Sequence, residues 1–217
     1  MNTIQTSLDF KENNGNILKN CIEKAISDED TIENRIFENE ELTDFDFSNL
    51  EFEKVKFIKC SFKKCKFYQS TFYNVDFIKC DVSLSDFAES FWKKSIINES
   101  NAVGGKFIKS TIKQTRIAYS MFDYSNFSNS VVENCIFDNC KFNESSLAES
   151  KISNATFKNI TFNGTDFFKT SLKGADLSDC LIDNIKISAD LCELKGARVN
   201  SEQALALIRV FGIEIVF

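Results

Sequence analysis

The sequence specifies an all-β solenoid, and three observations carry that reading. A large apolar residue recurs at every fifth position in one unbroken phase, a small residue precedes it by two, and Asp or Asn often stands between them. From Phe37 the series runs through Leu42, Phe47, Phe52, Phe57 and Phe62 to Leu177, Ile182 and Ile187, which is (187 − 37)/5 + 1 = 31 sites. None is polar, only Ala102 is small, and 17 of the 23 Phe residues fall on them. A period of five matches neither the ~3.6-residue turn of a helix nor the ~2-residue alternation of a strand. It marks a short unit that turns the same corner repeatedly.

The small column holds Cys60, Cys65, Ser70, Cys80 and Ser85, and later Ala155, Thr165, Thr170, Ala175 and Cys180, with larger residues at Leu50, Val55, Val75, Ile160 and Ile185. Between the columns stand Asp46, Asp76, Asp81, Asp86, Asn126, Asp166 and Asp176. The unit is therefore small, polar, large apolar, polar, polar, and Ala175-Asp176-Leu177-Ser178-Asp179 is its cleanest copy. The large residue is expected to point to the axis, with the small one beside it at the corner and the rest in water.

These tandem units resemble the pentapeptide-repeat family over roughly residues 37–199. The resemblance implies a right-handed quadrilateral β-helix, one pentapeptide per side, so that residues 20 apart stack. Cys60, Cys80, Cys140 and Cys180 then share one interior column, and Phe62, Phe122, Phe142 and Phe162 the next. Coils lie about 4.8 Å apart, as paired strands do, and their aromatic rings can stack offset. Three segments follow: residues 1–36 as an N-terminal cap, 37–199 as the β-helix, and 200–217 as a C-terminal helix and strand that dimerise.

In the cap, Ile17, Leu18, Cys21, Ile22, Ala25 and Ile26 recur at helical spacing, which predicts a short helix over 16–27. An early irregular coil competes with it, because Ile17, Ile22 and Ile32 also keep the pentad phase. Past Ile187 the phase shifts by two, to Leu194 and Val199. Asn200 or Ser201 can then cap a helix over Glu202–Phe211, with Gly212 as its stop. Ile213-Glu214-Ile215-Val216-Phe217 reads as a short strand. Helix and strand together exceed what one coil needs as a lid, so a two-fold dimer is expected through Leu205, Leu207, Ile208, Phe211, Ile213, Ile215 and Phe217.

Composition excludes much chemistry. With no His, the commonest general base and the usual catalytic triads are missing. Gly104-Gly105 is a lone pair, read as a local bulge or irregular corner rather than a phosphate loop. Six of the eight Cys lie in the small column as compact fillers, and Cys192 is expected to join them after the phase shift. No paired CxxC motif supports a zinc site. We therefore expect a non-enzymatic protein with no cofactor or metal. No stretch reads as a signal peptide or membrane span, which makes the expected location cytoplasmic.

The C-terminal residues sharpen the resemblance. Asp190-Leu191-Cys192-Glu193-Leu194-Lys195-Gly196-Ala197-Arg198-Val199, then Gln203-Ala204, then Phe211-Gly212-Ile213-Glu214-Ile215 is similar to the end of quinolone-resistance (Qnr-type) pentapeptide-repeat proteins. That resemblance implies a tail-to-tail homodimer of duplex-like width. It implies binding to DNA gyrase or topoisomerase IV as a DNA mimic, and protection of the enzyme from fluoroquinolones. Many such proteins carry projecting loops; here the phase never breaks between Phe37 and Ile187.

The charge pattern fits a mimic only in part. The net charge is −6, whereas ~38 Å of duplex, the length of roughly eight coils, carries about 22 negative charges. Residues 1–53 hold 4 basic and 14 acidic residues, 54–116 hold 13 and 5, and 117–217 hold 9 and 13. Lys54, Lys56, Lys59, Lys63, Lys64 and Lys66 lead a basic band, but they alternate around several sides, which argues against direct nucleic-acid binding. In the C-terminal half, Asp123, Asp138, Glu144, Asp176, Asp179 and Asp183 fall on two adjacent sides and are the candidate topoisomerase contacts. The alternative reading is a structural scaffold or protein-interaction module with an unrelated partner.

Overall fold

The computed structural model describes residues 17–209. It is a parallel β-solenoid in which each residue pairs with the one 20 positions on, as in Phe52↔Phe72, Phe57↔Phe77 and Leu42↔Phe62. The four sides differ. Two carry three-residue strands stacked into parallel sheets of seven strands each, running from Ile32 to Ser153 on the first side and from Ile36 to Lys158 on the second. The third side, through Phe62 and Phe122, and the fourth, through Phe67 and Phe127, are held mainly by single bridges such as Asp81↔Asn101 and Asp86↔Lys106.

Side chains explain the difference. At most places where Asp or Asn precedes the large residue, its Oδ1 accepts the backbone N–H two residues on, as from Ser48 to Asp46, Ser83 to Asp81, Ala88 to Asp86, Val103 to Asn101 and Ser128 to Asn126, whereas Asp76 lies in a strand and pairs with Lys56. This Asx turn bends the chain and ends strand geometry. Those residues crowd onto the third and fourth sides. The strand sides carry Thr71, Thr111, Val131, Ile96 and Ile136 at the same position, which suit extended backbone.

Each corner also needs a left-handed residue. The second residue after each large one has φ of 50–61° from Asn34 to Lys169, apart from the glycines. L-residues resist that region; Asn and Asp tolerate it best and Gly freely. Asn34, Asn39, Asp44, Asn49, Asn134 and Asn139 accordingly sit there. Gly104 falls on the same position at φ 67° and Gly105 in the small column. The pair is thus a regular corner in full register, and the bulge expected from it is corrected: Gly104 N–H still reaches the Asp123 carbonyl at 2.9 Å.

Between Phe47 and Ile182 every inward residue is buried except Ile152 and Ala155, which are half-buried. Phe rings stack up the axis. Phe47, Phe67, Phe87, Phe107 and Phe127 form one column with successive centroids 4.4, 4.6, 5.0 and 4.4 Å apart and planes within 10°. Phe122 and Phe142 stack at 5.0 Å, and Phe162 tilts by 36° against Phe142. The small column builds ladders of its own. Ser85 Oγ donates to the Phe62 carbonyl at 2.6 Å and accepts the Cys65 N–H at 3.0 Å, and Ser100 and Ser150 repeat the scheme. Buried thiols use the same carbonyls, as Cys80 does with Phe57. Burial pushes the Cys65 and Cys140 thiols up to about 11, so at neutral pH they are inert fillers.

Helix α1 spans Ile17–Asp28 and buries Leu18, Ile22 and Ala25 against the first coil, so the helix displaces the early-coil alternative. In-register pairing starts with Ile32↔Phe52. At the other end the shift by two is visible as Asp176↔Arg198, 22 residues apart, and as Leu172 N–H to the Glu193 carbonyl. Cys192 does not join the small column. It is exposed in the short 3-10 turn Cys192–Leu194, and Glu193 takes the buried place. Helix α2 spans Ser201–Arg209. Its cap is Asn200, whose Oδ1 accepts the Gln203 N–H at 2.9 Å while Gln203 Oε1 accepts the Asn200 N–H at 2.7 Å, a reciprocal capping box.

One interruption breaks the stack. Residues 171–178 adopt turn geometry on the two sides where the preceding coil has strands, and turn and strand rungs do not match. None of the N–H groups of Ile152, Asn154, Phe157 and Asn159 above, or of Ser171 and Asp176 below, finds its backbone partner across the gap. On the third and fourth sides pairing continues through Thr161↔Leu181 and Asp166↔Lys186. The coils therefore splay on one flank into a wedge-shaped cleft.

Candidate functional site

Fixed by the corners, the outward positions form columns 20 residues apart, so the candidate acids can be placed one by one. Asp123, Glu144 and Asp183 lie on the third side; Asp138, Asp176 and Asp179 lie on the second, around one edge of the rod. The two sides meet, as the spacing predicted. Asp123 and Asp183 belong to one column with Asn143 and Asn163 between them. Here Asp123 Oδ1 accepts the Asn143 N–H at 2.8 Å, and Asn143 Oδ1 the Asn163 N–H at 3.3 Å. Asp123 is half-buried by this, whereas Asp179 and Asp183 are exposed.

Half of the acids are already paired. Arg116 reaches Asp138 at 3.1 Å, Lys186 reaches Glu144 at 3.5 Å and Arg198 reaches Asp176 at 2.9 Å. Hydrogen bonds from Ser178, with Arg198 assisting, hold the Asp176 carboxyl below the usual carboxylate range. Asp123, Asp179 and Asp183 have no ion pair among the described residues. Sequence reasoning missed this neutralisation because its partners lie 22 or 42 residues away.

The basic band is compensated in part in the same way, while Lys59, Lys64, Lys66 and Lys106 hold no ion pair among the described residues. Lys56 pairs with Asp76, Lys63 with Asp81, Lys79 with Glu99, Lys109 with Glu89 and Lys113 with Glu133, mostly one coil apart. Lys93 and Lys94 instead lie over the Tyr73 ring at 6.0 and 5.8 Å. The paired part of this lattice is a solvated surface of exposed ion pairs.

Asp190, Cys192 and Glu193 bring potential metal-ligand atoms within 4.8 Å of one another. Glu193, however, is already satisfied. Its carboxylate accepts the Lys169 N–H at 2.9 Å, the Ser188 N–H at 3.1 Å and the Ser188 hydroxyl at 2.6 Å. Burial alone would raise this carboxyl, but the Ser188 and Lys169 donors outweigh it and hold it down at about 2. Glu193 is thus a brace tying the last coil to its neighbour.

On α2, Leu207 packs against the core and Gln203 Nε2 donates to the Leu177 and Cys180 carbonyls at 2.9 and 2.6 Å. Leu207, assigned to a dimer contact, is thus partly committed to its own protomer. Leu205 is half-buried and Ile208 is 38% exposed. Phe211, Ile213, Ile215 and Phe217, with the Gly212 stop and the short strand, lie outside the described residues.

Fold and sequence together define the class. A pentapeptide-repeat family model matches residues 125–164 and 145–183, with 8 copies, and the 20-residue register carries the same architecture from Ile32 onward. The chain is a β-solenoid of five-residue units, similar in its matched part to the pentapeptide-repeat family. Among solved structures it is similar in fold to full-length QnrB1, a plasmid-mediated fluoroquinolone resistance protein, at 20% identity over 84% of this chain and 98% of that one, TM-score 0.54. A trypsin-treated QnrB1 variant superposes at TM-score 0.55 and 20% identity, covering 86% of this chain and all of that one. No curated protein sequence matches the chain. Among the described residues no helix is long and apolar enough to cross a membrane.

Proposed function

We propose that this protein is a non-enzymatic, dimeric DNA mimic. It binds a type II topoisomerase, DNA gyrase or topoisomerase IV, through the acidic edge formed by the second and third sides, and shields that enzyme from fluoroquinolones. The observation that carries the reading is the likeness in fold to QnrB1 across most of both chains. The exposed acids Asp179 and Asp183, with half-buried Asp123 beside them, supply charge on one edge of a rod whose coils never open into loops. The outward apolar residues of α2, Leu205 and Ile208, are its dimer contact.

A gyrase supercoiling assay with and without ciprofloxacin tests the reading. Excess folded protein is expected to inhibit supercoiling or to restore it in the presence of drug; an enzyme unaffected in both conditions refutes it. The alternative, a scaffold for an unrelated partner, draws on the ion pairs at Asp138, Glu144 and Asp176, which leave the edge less negative than duplex DNA. Affinity capture in which topoisomerase subunits are absent and another protein is saturably bound favours that alternative.

A further inference from the structure

We infer that the cleft between residues 151–158 and 171–178 is a strand-addition site, and that its occupant is the segment Ile213-Glu214-Ile215-Val216-Phe217 of the same chain. The cleft is built for backbone pairing. Among the described residues, the N–H groups of Ile152, Asn154, Phe157 and Asn159 on its upper lip find no partner, and the carbonyls of Ser150 and Ala155 accept nothing there. Everywhere else from Ile32 to that point the same positions are paired to the next coil. An unpaired strand edge recruits an extended segment, and side chains of alternate residues then settle its register.

Two adjoining pockets of about 110 and 370 Å³ open along this edge, the larger lined by Thr156, Phe157, Lys158, Asp176, Asp179 and Arg198. Gly174 faces open space, since a Cβ built there meets nothing within 4 Å. The floor is apolar: Ile152 and Ala155 are the two inward residues between Phe47 and Ile182 that remain half-buried. A guest strand would cover them.

The proposed occupant matches in pattern, charge and reach. Ile213, Ile215 and Phe217 alternate with Glu214 and Val216, so one face of the strand is apolar and meets that floor. Glu214 comes beside Lys158 and Lys173, exposed cations at the pockets that hold no ion pair among the described residues. Arg198 lines the larger pocket and leads directly into α2. The nine residues of α2 carry the chain about 13 Å away, and the eight residues that follow it, 210–217, have a full reach of about 27 Å, enough for the segment to turn back to the cleft. This assigns Ile213, Ile215 and Phe217 to the protomer's own cleft and leaves α2 as the dimer contact. The occupied cleft also orders the margin of the acidic edge at Asp176 and Asp179.

Hydrogen exchange on the full chain tests this without any topoisomerase. The Asn154, Phe157 and Asn159 amides are expected to be protected at least about tenfold more in the full chain than in a variant lacking residues 210–217 or in Ile215→Asp. The Phe162 and Gly164 amides, paired on the third side, should not change and so report an intact fold. Equal exchange of the cleft amides in all three proteins overturns the proposal. So does protection that disappears on dilution, because the strand would then come from a second copy.

Discussion

At the scale of single residues, the serines of the small column do different work that their identical spacing hides. Ser85 Oγ holds two buried backbone groups at once, the Phe62 carbonyl and the Cys65 N–H. Ser110 Oγ, in the same kind of position, is a buried side-chain polar atom with no partner. Ser85→Ala is therefore expected to cost about 1–3 kcal/mol, because it strands two buried groups, while Ser110→Ala is neutral or stabilising; urea unfolding of both variants checks this. Glu193 supplies a pH signature. Its folded pKa, about 2, lies below the ordinary 4.5, so its stabilisation is fully present above pH 4.5 and is lost as pH falls from there through 2. The melting temperature of the native chain should exceed that of Glu193→Gln at neutral pH, and the difference should shrink over that acid range. A difference independent of pH contradicts the brace. Position-level legibility was uneven for a physical reason. The inward residues announce themselves by size, but Glu193 was masked by its charge, because a buried carboxylate satisfied by three donors looks in sequence like any outward acid.

Among the elements, the aromatic column and the two caps bear different loads. Phe87 sits between Phe67 and Phe107 with ring planes within 6° of both, so Phe87→Ala should cost about 3–5 kcal/mol and Phe87→Leu much less. Asn200→Ala removes the α2 cap and should cost about 1 kcal/mol. Gln203→Ala should cost more, because it also releases the Leu177 and Cys180 carbonyls. Helical circular dichroism with thermal unfolding separates the two, and an Asn200 variant worse than the Gln203 variant would contradict the capping box as drawn. The β-helix, α1 and the phase shift after Ile187 were legible because hydrophobic period is a repeated signal. The division into strand sides and turn sides was written in the sequence too, in Asp46, Asp81, Asp86 and Asn126, yet it becomes readable only once the Asx turn is recognised as the alternative to a ladder strand. Asn at the left-handed corner, from Asn34 to Asn159, carried the same hidden instruction. The cleft beyond residue 158 was not legible, since the pentad phase runs through it unbroken while the backbone changes type.

At the scale of the whole molecule, a stiff square rod presents its charges in fixed columns, so function rests on the arrangement of charge more than on its total. The edge carrying Asp123, Asp138, Glu144, Asp176, Asp179 and Asp183 was placed correctly on two adjacent sides by counting in twenties. Its strength was overstated, because Arg116, Lys186 and Arg198 fold back onto three of the six acids. In the proposed function the unpaired trio, Asp123, Asp179 and Asp183, would carry the mimicry, and partner binding through it should weaken as salt rises. Asp179→Lys with Asp183→Lys alters only exposed positions and should leave the unfolding midpoint within about 0.5 kcal/mol. The most direct measurement is displacement of a fluorescent linear duplex from DNA gyrase by the full chain and by this double variant. The native protein is expected to release the duplex in a saturable, salt-sensitive manner and the double variant to lose most of that effect. Retention of the duplex at saturating native protein, or equal displacement by the variant, would contradict it.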